Sequence, residues 1–224
     1  MEISIDLQSI SGEAGPSLEY YRAATAAIDQ VVDHTLQDGI SRGEIEHVSL
    51  FSFARLPLLV YLGAKLDDDH QLDIYQRHRG TDNWHWPEGE DFTPVQFSFT
   101  IPRPQKNQTE AVLIANISGT IHPREIPAQI ASLPVFKLFP SQATPVPEII
   151  KSRASLKSFE AMFRRFLGEL EVHHKNIRRL HLLGALPISP AVVIGRVRDP
   201  ATHPSIVTYD RLETGGYKSA IEVR

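Results

Sequence analysis

Hydrophobic positions along the chain follow two patterns. One consists of short apolar runs bounded by polar residues, and the other of longer stretches in which apolar residues recur every three or four positions. The short runs predict strands at Glu2–Leu7, His47–Phe51, Leu72–Tyr75, Ala111–Ile117, Arg179–Leu183 and Ser205–Tyr209. The helical spacing predicts helices at Leu18–Gln37 and Leu156–Lys175. Because helices alternate with apolar strands, the pattern indicates a doubly wound α/β fold with mostly parallel sheets.

The same succession of elements occurs twice. When Gly63 is aligned with Gly195, each copy passes from a strand through a small-residue loop with a proline into an apolar helix. Each copy then crosses a polar loop into a strand that ends in a tyrosine, Tyr75 or Tyr209. A period of about 130 residues is too long for a solenoid repeat, and it predicts a duplicated domain that packs as a pseudo-dimer. The predicted halves are residues 1–100 and 101–224.

Two segments interrupt the repeat. Residues 120–154 form a proline-rich insertion in the second half, and within it the run "LPVFKLF" at 133–139 predicts an additional strand. The stretch Pro87–Thr109 is rich in proline and polar residues, which predicts the boundary between the halves. Inside that boundary the run "VQFSF" at 95–99 predicts a short strand.

Composition places the chain among soluble globular proteins, since 42% of its 224 residues are hydrophobic and 22% are charged. Cysteine is absent, which excludes disulfides, cysteine zinc sites and cysteine nucleophiles. The sequence contains no apolar run of about 18 residues and no N-terminal pattern of a signal peptide. We therefore expect a cytoplasmic protein without a membrane partner.

Charge is divided unevenly along the chain. Residues 1–110 carry 18 acidic and 8 basic side chains, whereas residues 111–224 carry 9 acidic and 15 basic ones. The basic part could steer an anionic ligand toward the protein, or it could be a solvated surface with an uneven charge. No basic run resembles a DNA-binding arm, so we expect no direct binding of long nucleic acid.

The loops that follow the predicted strands are the first candidates for a binding site, because ligands of open α/β sheets bind beyond the carboxyl ends of strands. Four such loops are rich in small, hydroxylated or glycine residues: Ser9–Pro16, Ser52–Pro57, Ser118–Arg124 and Gly184–Pro190. In the last loop, Ser189 and Pro190 predict a helix start with Ser189 as the N-cap. A helix N-terminus attracts anions such as phosphate, although capping alone also explains each loop.

Three side chains near these loops have two interpretations each. Arg55 could hold a phosphate or form a surface salt bridge. Lys137 could point into a cleft or mark an edge strand. Trp84 could stack on a nucleobase or pack as a lid over the core, and the same two interpretations apply to Trp86.

The turn Ser118, Gly119 and Thr120 follows a predicted strand, where glycine permits a tight turn or the close approach of a ligand. It is not a Walker loop, and the dinucleotide fingerprint G-x-G-x-x-G does not occur in the sequence. The sequence also lacks the H-E-x-x-H metal spacing and the G-x-S-x-G nucleophile elbow. Asp67–Asp69 is interpreted as a solvated loop run rather than as a pair of catalytic carboxylates. The sequence therefore offers no motif for an enzyme, a metal or a cofactor.

Several segments in fixed order resemble the SAVED domain. They are "FARLPLLVYLG", "DIYQ", "AVLIANISG", "HLLGALPISPAVVIGR", "SIVTYD" and "GGYKSAIEV". The resemblance covers nearly the whole chain and is carried by the order and spacing of the segments. It implies two fused Rossmann-like units of the CARF type, which agrees with the duplication. It also implies a sensor of bacterial anti-phage signalling (CBASS and some CRISPR systems) that binds a cyclic di-, tri- or tetranucleotide.

The resemblance further implies that the ligand lies across the pseudo-two-fold axis. The residues that it implies for binding are Phe53, Arg55, Trp84, Ser118, Gly119, Thr120, Lys137, Pro187 and Ser189. Ligand binding in this family drives self-association and activates an effector, such as a nuclease, a TIR domain or a protease, fused or in trans. The chain itself is then expected not to be an enzyme.

Two alternatives remain beside this interpretation. In one, Ser118, Thr120 and Lys137 assist cleavage of the cyclic ligand, as in ring nucleases. In the other, the chain is an oligomerisation domain that binds no ligand.

Overall fold

The computed structural model of the chain describes residues 2–66, 71–78, 80, 82–87, 93–103 and 107–224. The acidic run Asp67–Asp69 and parts of the predicted boundary Pro87–Thr109 lie outside the described residues. The α-helices are α1 (Leu18–Val31), α2 (Gln37–Ser41), α3 (Leu56–Lys65), α4 (Arg153–His173) and α5 (Ile188–Arg196). The strands are β1 (His47–Leu50), β2 (Gln71–Ile74), β3 (Phe97–Thr100), β4 (Glu110–Asn116), β5 (Val135–Pro140), β6 (Arg179–Ala185), β7 (Ser205–Arg211) and β8 (Tyr217–Val223).

The larger sheet contains six of the described strands in the order β3-β5-β4-β6-β7-β8. The four inner strands are parallel, whereas β3 and β8 run antiparallel to their neighbours at the two edges. Strands β4 and β6 are buried on both faces, which is why they read as nearly continuous apolar runs. The predicted α/β class with mostly parallel sheets is confirmed. The additional strands predicted at 133–139 and 95–99 are β5 and β3, and β3 belongs to this sheet although it precedes residue 100.

The two faces of this sheet are covered differently. Helix α4 lays Phe159, Phe163 and Phe166 on one face, where Phe166 meets Phe136 of β5 edge to face. On the other face, Val112, Ile114 and Leu183 pack under Ile121 and Ile130 of the proline-rich insertion. The insertion therefore replaces a helix layer on that face.

The smaller sheet consists of β1 and β2, which pair in parallel. The predicted strand Glu2–Leu7 is wrong, because this segment makes no strand pairing within the described residues. Ile3, Ile5 and Leu7 do pack against the core, so the alternation of apolar and polar residues is a true burial pattern. A cleft of about 740 Å³, lined by residues 2–5 and by β1, lies where the backbone ladder was expected.

Helices α3 and α5 cross at the centre of the molecule and relate the two halves. A Cβ atom added to Gly63 would overlap the carbonyl oxygen of Val192, and one added to Gly195 would overlap the carbonyl oxygen of Val60. The two contacts are reciprocal, since the alignment of Gly63 with Gly195 also pairs Val60 with Val192. This reciprocity is what an isologous contact around a two-fold axis requires. The predicted pseudo-dimer is confirmed.

Two details of the helices and the last strand were not predicted. The single predicted helix Leu18–Gln37 contains a π-helical segment, Val32–Leu36, between α1 and α2. Strand β8 follows a turn in which Gly215 and Gly216 both have positive φ, a conformation that glycine adopts without strain.

No helix in the described part of the chain is both long and apolar enough to cross a bilayer.

The stability of the fold depends on pH through His174, the C-cap residue of α4. Its ring meets Phe136 edge to face at 5.1 Å between centroids, and burial lowers its pKa below the usual value. A folded-state pKa below that of the unfolded chain stabilises the fold above about pH 6.5, and this stabilisation is lost as the pH falls through the folded-state value. We expect the free energy of unfolding to fall between pH 7 and pH 5, and His174→Gln to reduce that slope. Urea unfolding of both proteins between pH 7 and pH 5 measures how the free energy of unfolding changes with pH. Equal changes in wild type and in His174→Gln would contradict the role of His174.

Candidate functional site

Three of the four small-residue loops lie at the carboxyl ends of β1, β4 and β6, and the fourth, Ser9–Pro16, joins them through Glu13. The backbone N–H groups of Ile117 and Ser118 both donate to the carbonyl oxygen of Ala185, at 3.0 and 2.8 Å. Leu56 packs against Gly184, and the carbonyl oxygen of Glu13 accepts a hydrogen bond from Arg55. Loops from both halves therefore form one surface where α3 and α5 begin.

Arg55 immediately precedes α3 and reaches across to the second half. Its Nη1 donates to Asp210 Oδ2 at 2.8 Å, and its Nη2 donates to the Glu13 carbonyl at 2.6 Å. Of the two interpretations, the structure therefore shows the salt bridge, but one that is partly buried, since the Arg55 side chain is 26% exposed and that of Asp210 is 12% exposed. The Nε atom of Arg55 is buried and has no hydrogen-bond partner among the described residues.

Asp210 receives a second hydrogen bond from α1. The hydroxyl of Tyr21 donates to the same Oδ2 atom at 2.6 Å. Burial raises the pKa of Tyr21, and the hydrogen bond to Asp210 raises it further, so the phenol remains a protonated donor. Residues from α1, the loop before α3 and the end of β7 therefore converge on one carboxylate.

Gln76 takes the corresponding place in the first half. It follows Tyr75 as Asp210 follows Tyr209, and its Oε1 accepts hydrogen bonds from the backbone N–H and the hydroxyl of Ser189, at 3.1 and 2.8 Å. The prediction of Ser189 as N-cap is wrong, because α5 begins at Ile188 and Pro187 is the N-cap residue. Ser189 is fully buried, and Gln76 from the other half supplies the acceptor that a cap side chain would supply.

The turn after β4 is closed by its own side chains. The Oδ1 atom of Asn116 accepts from the N–H of Ile121 at 2.9 Å. Gly119 lies against the side chain of Ala185, Ser118 is half-buried, and Thr120 is exposed. The backbone of this turn is thus held beside the loop that leads into α5.

Lys137 lies apart from these residues. It is exposed on β5, which is an inner strand between β3 and β4, so the interpretation as an edge marker is wrong. In register it pairs with Ile114, which faces the insertion rather than α4 and α5. The structure therefore does not bring Lys137 next to Arg55.

Aromatic rings that are exposed or half-buried continue the surface beyond the ends of β1 and β2. Phe51 stacks on Tyr75 at 4.5 Å between centroids, and Trp84 meets Phe51 edge to face at 5.8 Å. Phe53 is 70% exposed, and the guanidinium of Arg77 lies 5.2 Å from the centre of its ring. We call Phe51, Phe53, Tyr75 and Trp84 the aromatic surface. Trp86, by contrast, packs against the core, so the lid interpretation holds for Trp86 and not for Trp84.

The site contains residues that the sequence did not single out. They are Tyr21, Phe51, Tyr75, Gln76, Arg77 and Asp210. Phe51 and Tyr75 directly follow β1 and β2, Gln76 and Arg77 come next after Tyr75, and Asp210 lies at the end of β7. The aligned repeat already marked these strand ends. Within the described residues no group of three or more histidine, aspartate and glutamate side chains is placed to hold a metal ion.

The family model of the "SMODS-associated and fused to various effectors sensor domain" (SAVED) matches residues 28–223. No curated protein matches. The chain is similar to the Acinetobacter baumannii Cap4 SAVED/CARF-domain containing receptor with the cyclic trinucleotide 2'3'3'-cAAA, at 18% identity and a TM-score of 0.70, covering 97% of this chain and 47% of that one.

Two further structures of the Acinetobacter baumannii Cap4 receptor are also similar. The form with 3'3'3'-cAAA has 19% identity and a TM-score of 0.71, with 96% of this chain and 47% of that chain covered. The receptor described without a ligand has 18% identity and a TM-score of 0.61, with 97% and 45% covered. The chain thus spans less than half the length of the solved chains that it matches, and at these identities the likeness concerns the fold.

Proposed function

The chain belongs to the SAVED family of sensor domains, and from this premise we propose that it binds a cyclic oligonucleotide where its two halves meet. The observation that carries the proposal is the convergence of four loops from both halves on one surface at the starts of α3 and α5. The similar Cap4 receptor is described with cyclic trinucleotides, which makes a ring of three nucleotides the first ligand to test.

The chemistry of the surface suits such a ligand. Arg55 offers a guanidinium to a phosphate, and the N-terminus of α5 beside Pro187 favours negative charge. Ser189 is buried and donates to Gln76, so it positions this helix start and does not touch the ligand. The aromatic surface offers Phe53 and Trp84 to nucleobases. Ser118, Gly119 and Thr120 present backbone and hydroxyl groups to the sugar-phosphate ring. Two members of the expected set lie outside the contact surface that we propose: the buried Ser189, and Lys137, which shares the sheet face of Ile114 opposite α4 and α5.

A thermal-shift screen tests the proposal. The chain is heated with cyclic di-, tri- and tetranucleotides of mixed linkage, including 2'3'3'-cAAA and 3'3'3'-cAAA, and with linear and mononucleotide controls. A ligand that binds only the folded state stabilises it by about 2.7 kcal/mol at a hundredfold excess over its Kd. A shift with a cyclic compound and none with its linear form supports the proposal. No shift with any cyclic compound would favour a domain that only oligomerises.

Phe53→Ala tests the aromatic surface. Phe53 is largely exposed and packs mainly under Arg77, so its removal should leave the fold intact. Loss of one base-stacking partner costs roughly 1–3 kcal/mol, and because Phe53 is largely exposed we expect the lower end of this range, a Kd about five- to tenfold higher for the cyclic ligand. Isothermal titration calorimetry measures the change. Val172→Ala, which truncates an equally exposed apolar side chain on α4, is the control and should bind like wild type.

We do not favour cleavage of the ligand by this chain. In that hypothesis Ser118, Thr120 and Lys137 assist the cleavage, but Lys137 is exposed on β5 and makes no hydrogen bond to either hydroxyl among the described residues. Incubation of the bound cyclic ligand with the chain, followed by chromatography for linear products, decides the matter. Intact ligand is the expected result.

We infer that ligand binding drives self-association and activates an effector, fused or in trans. The family description of a sensor fused to various effectors supports this step. Light scattering of the chain with and without its cyclic ligand tests it. We expect a larger particle only with ligand, and an unchanged mass would contradict self-association.

A further inference from the structure

Arg55 is already engaged before any ligand is bound. Two of its nitrogen atoms donate to Asp210 and to the carbonyl of Glu13, while its buried Nε lacks an acceptor among the described residues. A buried donor without an acceptor destabilises the arrangement that contains it. A different position of the guanidinium, in which an added anion accepts from it, would remove this deficit.

We propose that Asp210 sets the ligand affinity of the site by competing with a ligand phosphate for Arg55. The proposal rests on the function proposed above and concerns the same site. Asp210 is a positioning residue here, because it acts through Arg55 and need not touch the ligand. The cost of breaking the bond between Arg55 and Asp210 is then part of every binding event.

The environment of Asp210 suits this role. The Tyr21 hydroxyl holds the carboxylate at 2.6 Å, so Asp210 stays in place and hydrogen-bonded when Arg55 leaves. Charge-assisted hydrogen bonds of a guanidinium to a carboxylate and to a phosphate have similar geometry and strength, so one can replace the other. The exchange therefore needs a movement of the Arg55 side chain and of no other charged group.

The other half lacks such a competitor. At the place that corresponds to Asp210 stands Gln76, which is neutral and hydrogen-bonds the start of α5 through Ser189. Pro187, which aligns with Arg55, carries no charge. The competition between a protein carboxylate and a ligand phosphate is thus confined to one side of the pseudo-two-fold axis, and one substitution is enough to remove it.

Asp210→Asn is the first variant. Asparagine keeps the size of the side chain and an oxygen for Tyr21, but it removes the negative charge that holds Arg55. If Arg55 is free for ligand in only a fraction of molecules, the apparent Kd is the intrinsic Kd divided by that fraction. We expect the Kd for 2'3'3'-cAAA or 3'3'3'-cAAA to fall by about tenfold. Asp33→Asn, which removes a charge paired with Lys65 elsewhere in the first half, is the matched control and should not change the Kd.

The double variant Arg55→Ala with Asp210→Asn shows whether the gain passes through Arg55. When both proteins are measured in high salt, which screens the repulsion between the Asp210 carboxylate and an anionic ligand, it should bind no better than Arg55→Ala alone. An Asp210→Asn protein that binds as wild type, or more weakly, overturns the proposal, and weaker binding would make Asp210 a direct ligand contact. A gain that persists without Arg55 also overturns it.

A second readout needs no ligand. Thermal unfolding of wild type, the two single variants and the double variant gives a double-mutant cycle for the Arg55–Asp210 pair. Coupling between the two sites together with no binding of any cyclic oligonucleotide would refute the proposed function but not the pairing. Ligand binding by wild type without coupling, or without the gain in Asp210→Asn, would refute the competition while the proposed function stands.

Discussion

Gly195→Ala should lower the free energy of unfolding by about 3 kcal/mol, and Gly63→Ala by a similar amount. In each case the new methyl group overlaps a backbone carbonyl oxygen of the facing helix, that of Val60 or of Val192. A backbone oxygen inside a helix cannot rotate aside as the end of a side chain can. Helices α3 and α5 must therefore move apart, and the apolar contacts between the two halves loosen with them.

Gly168→Ala is the control for the glycine substitutions. Gly168 lies within α4, and a Cβ atom added there meets nothing within 4 Å. Alanine favours the helix, so this variant should be more stable by about 0.5–1 kcal/mol. Urea unfolding of the three variants measures the contrast. If Gly195→Ala were as stable as Gly168→Ala, the close crossing of α3 and α5 would be wrong.

These two glycines also show how much of the fold the sequence contains. The repeated succession of elements around them predicted the duplication, and the structure explains why both copies have glycine there, since a close helix crossing around a two-fold axis requires a small residue at the same place in both. The apolar runs predicted the inner strands for an equally direct reason, since strands buried on both faces are apolar throughout. Both signals are local in sequence and reflect burial.

The pairing between strands could not be predicted in this way, and two predictions about it were wrong, those for residues 2–7 and for Lys137. Residues 2–7 alternate as a strand does and partly bury Ile3 and Ile5 against the core, yet they do not pair with β1. Periodicity reports which side chains are buried and says nothing about the partner of the backbone. The edge interpretation of Lys137 failed similarly, because strand order depends on how the insertion folds back to place β5 between β3 and β4.

The sequence predicted which loops form the candidate site, but not which side chains form hydrogen bonds with one another there. Arg55 was identified, whereas Asp210 and Tyr21, which hold it, are distant in sequence and become neighbours only when the halves pack. The same holds for Gln76 and Ser189. Contacts across the pseudo-two-fold axis depend on tertiary structure, so a sequence read one segment at a time cannot supply them. The repeat, however, marks where to look, since both acceptors follow a tyrosine at a strand end.

Arg55→Ala should raise the Kd of the cyclic ligand about thirtyfold, the largest effect on binding that we expect from a single side chain. A hydrogen bond between a guanidinium and an anion contributes roughly 2 kcal/mol, which corresponds to that factor. Folding should persist, because the bond from Tyr21 to Asp210 remains, and circular dichroism with thermal unfolding verifies it. Calorimetric titration of the variant and of wild type with the same cyclic oligonucleotide gives the ratio.

The control for Arg55→Ala is Arg42→Ala, which removes one positive charge from an exposed pair with Glu44 and should leave the Kd unchanged. A second comparison is needed, because Arg55→Ala also leaves the Asp210 carboxylate without its cation beside an anionic ligand. If repulsion by Asp210 caused the loss, adding Asp210→Asn to Arg55→Ala would restore wild-type affinity. If the phosphate contact of Arg55 is what is lost, most of the deficit remains in the double variant. Wild-type affinity in Arg55→Ala itself would remove Arg55 from the site and move the ligand toward the aromatic surface.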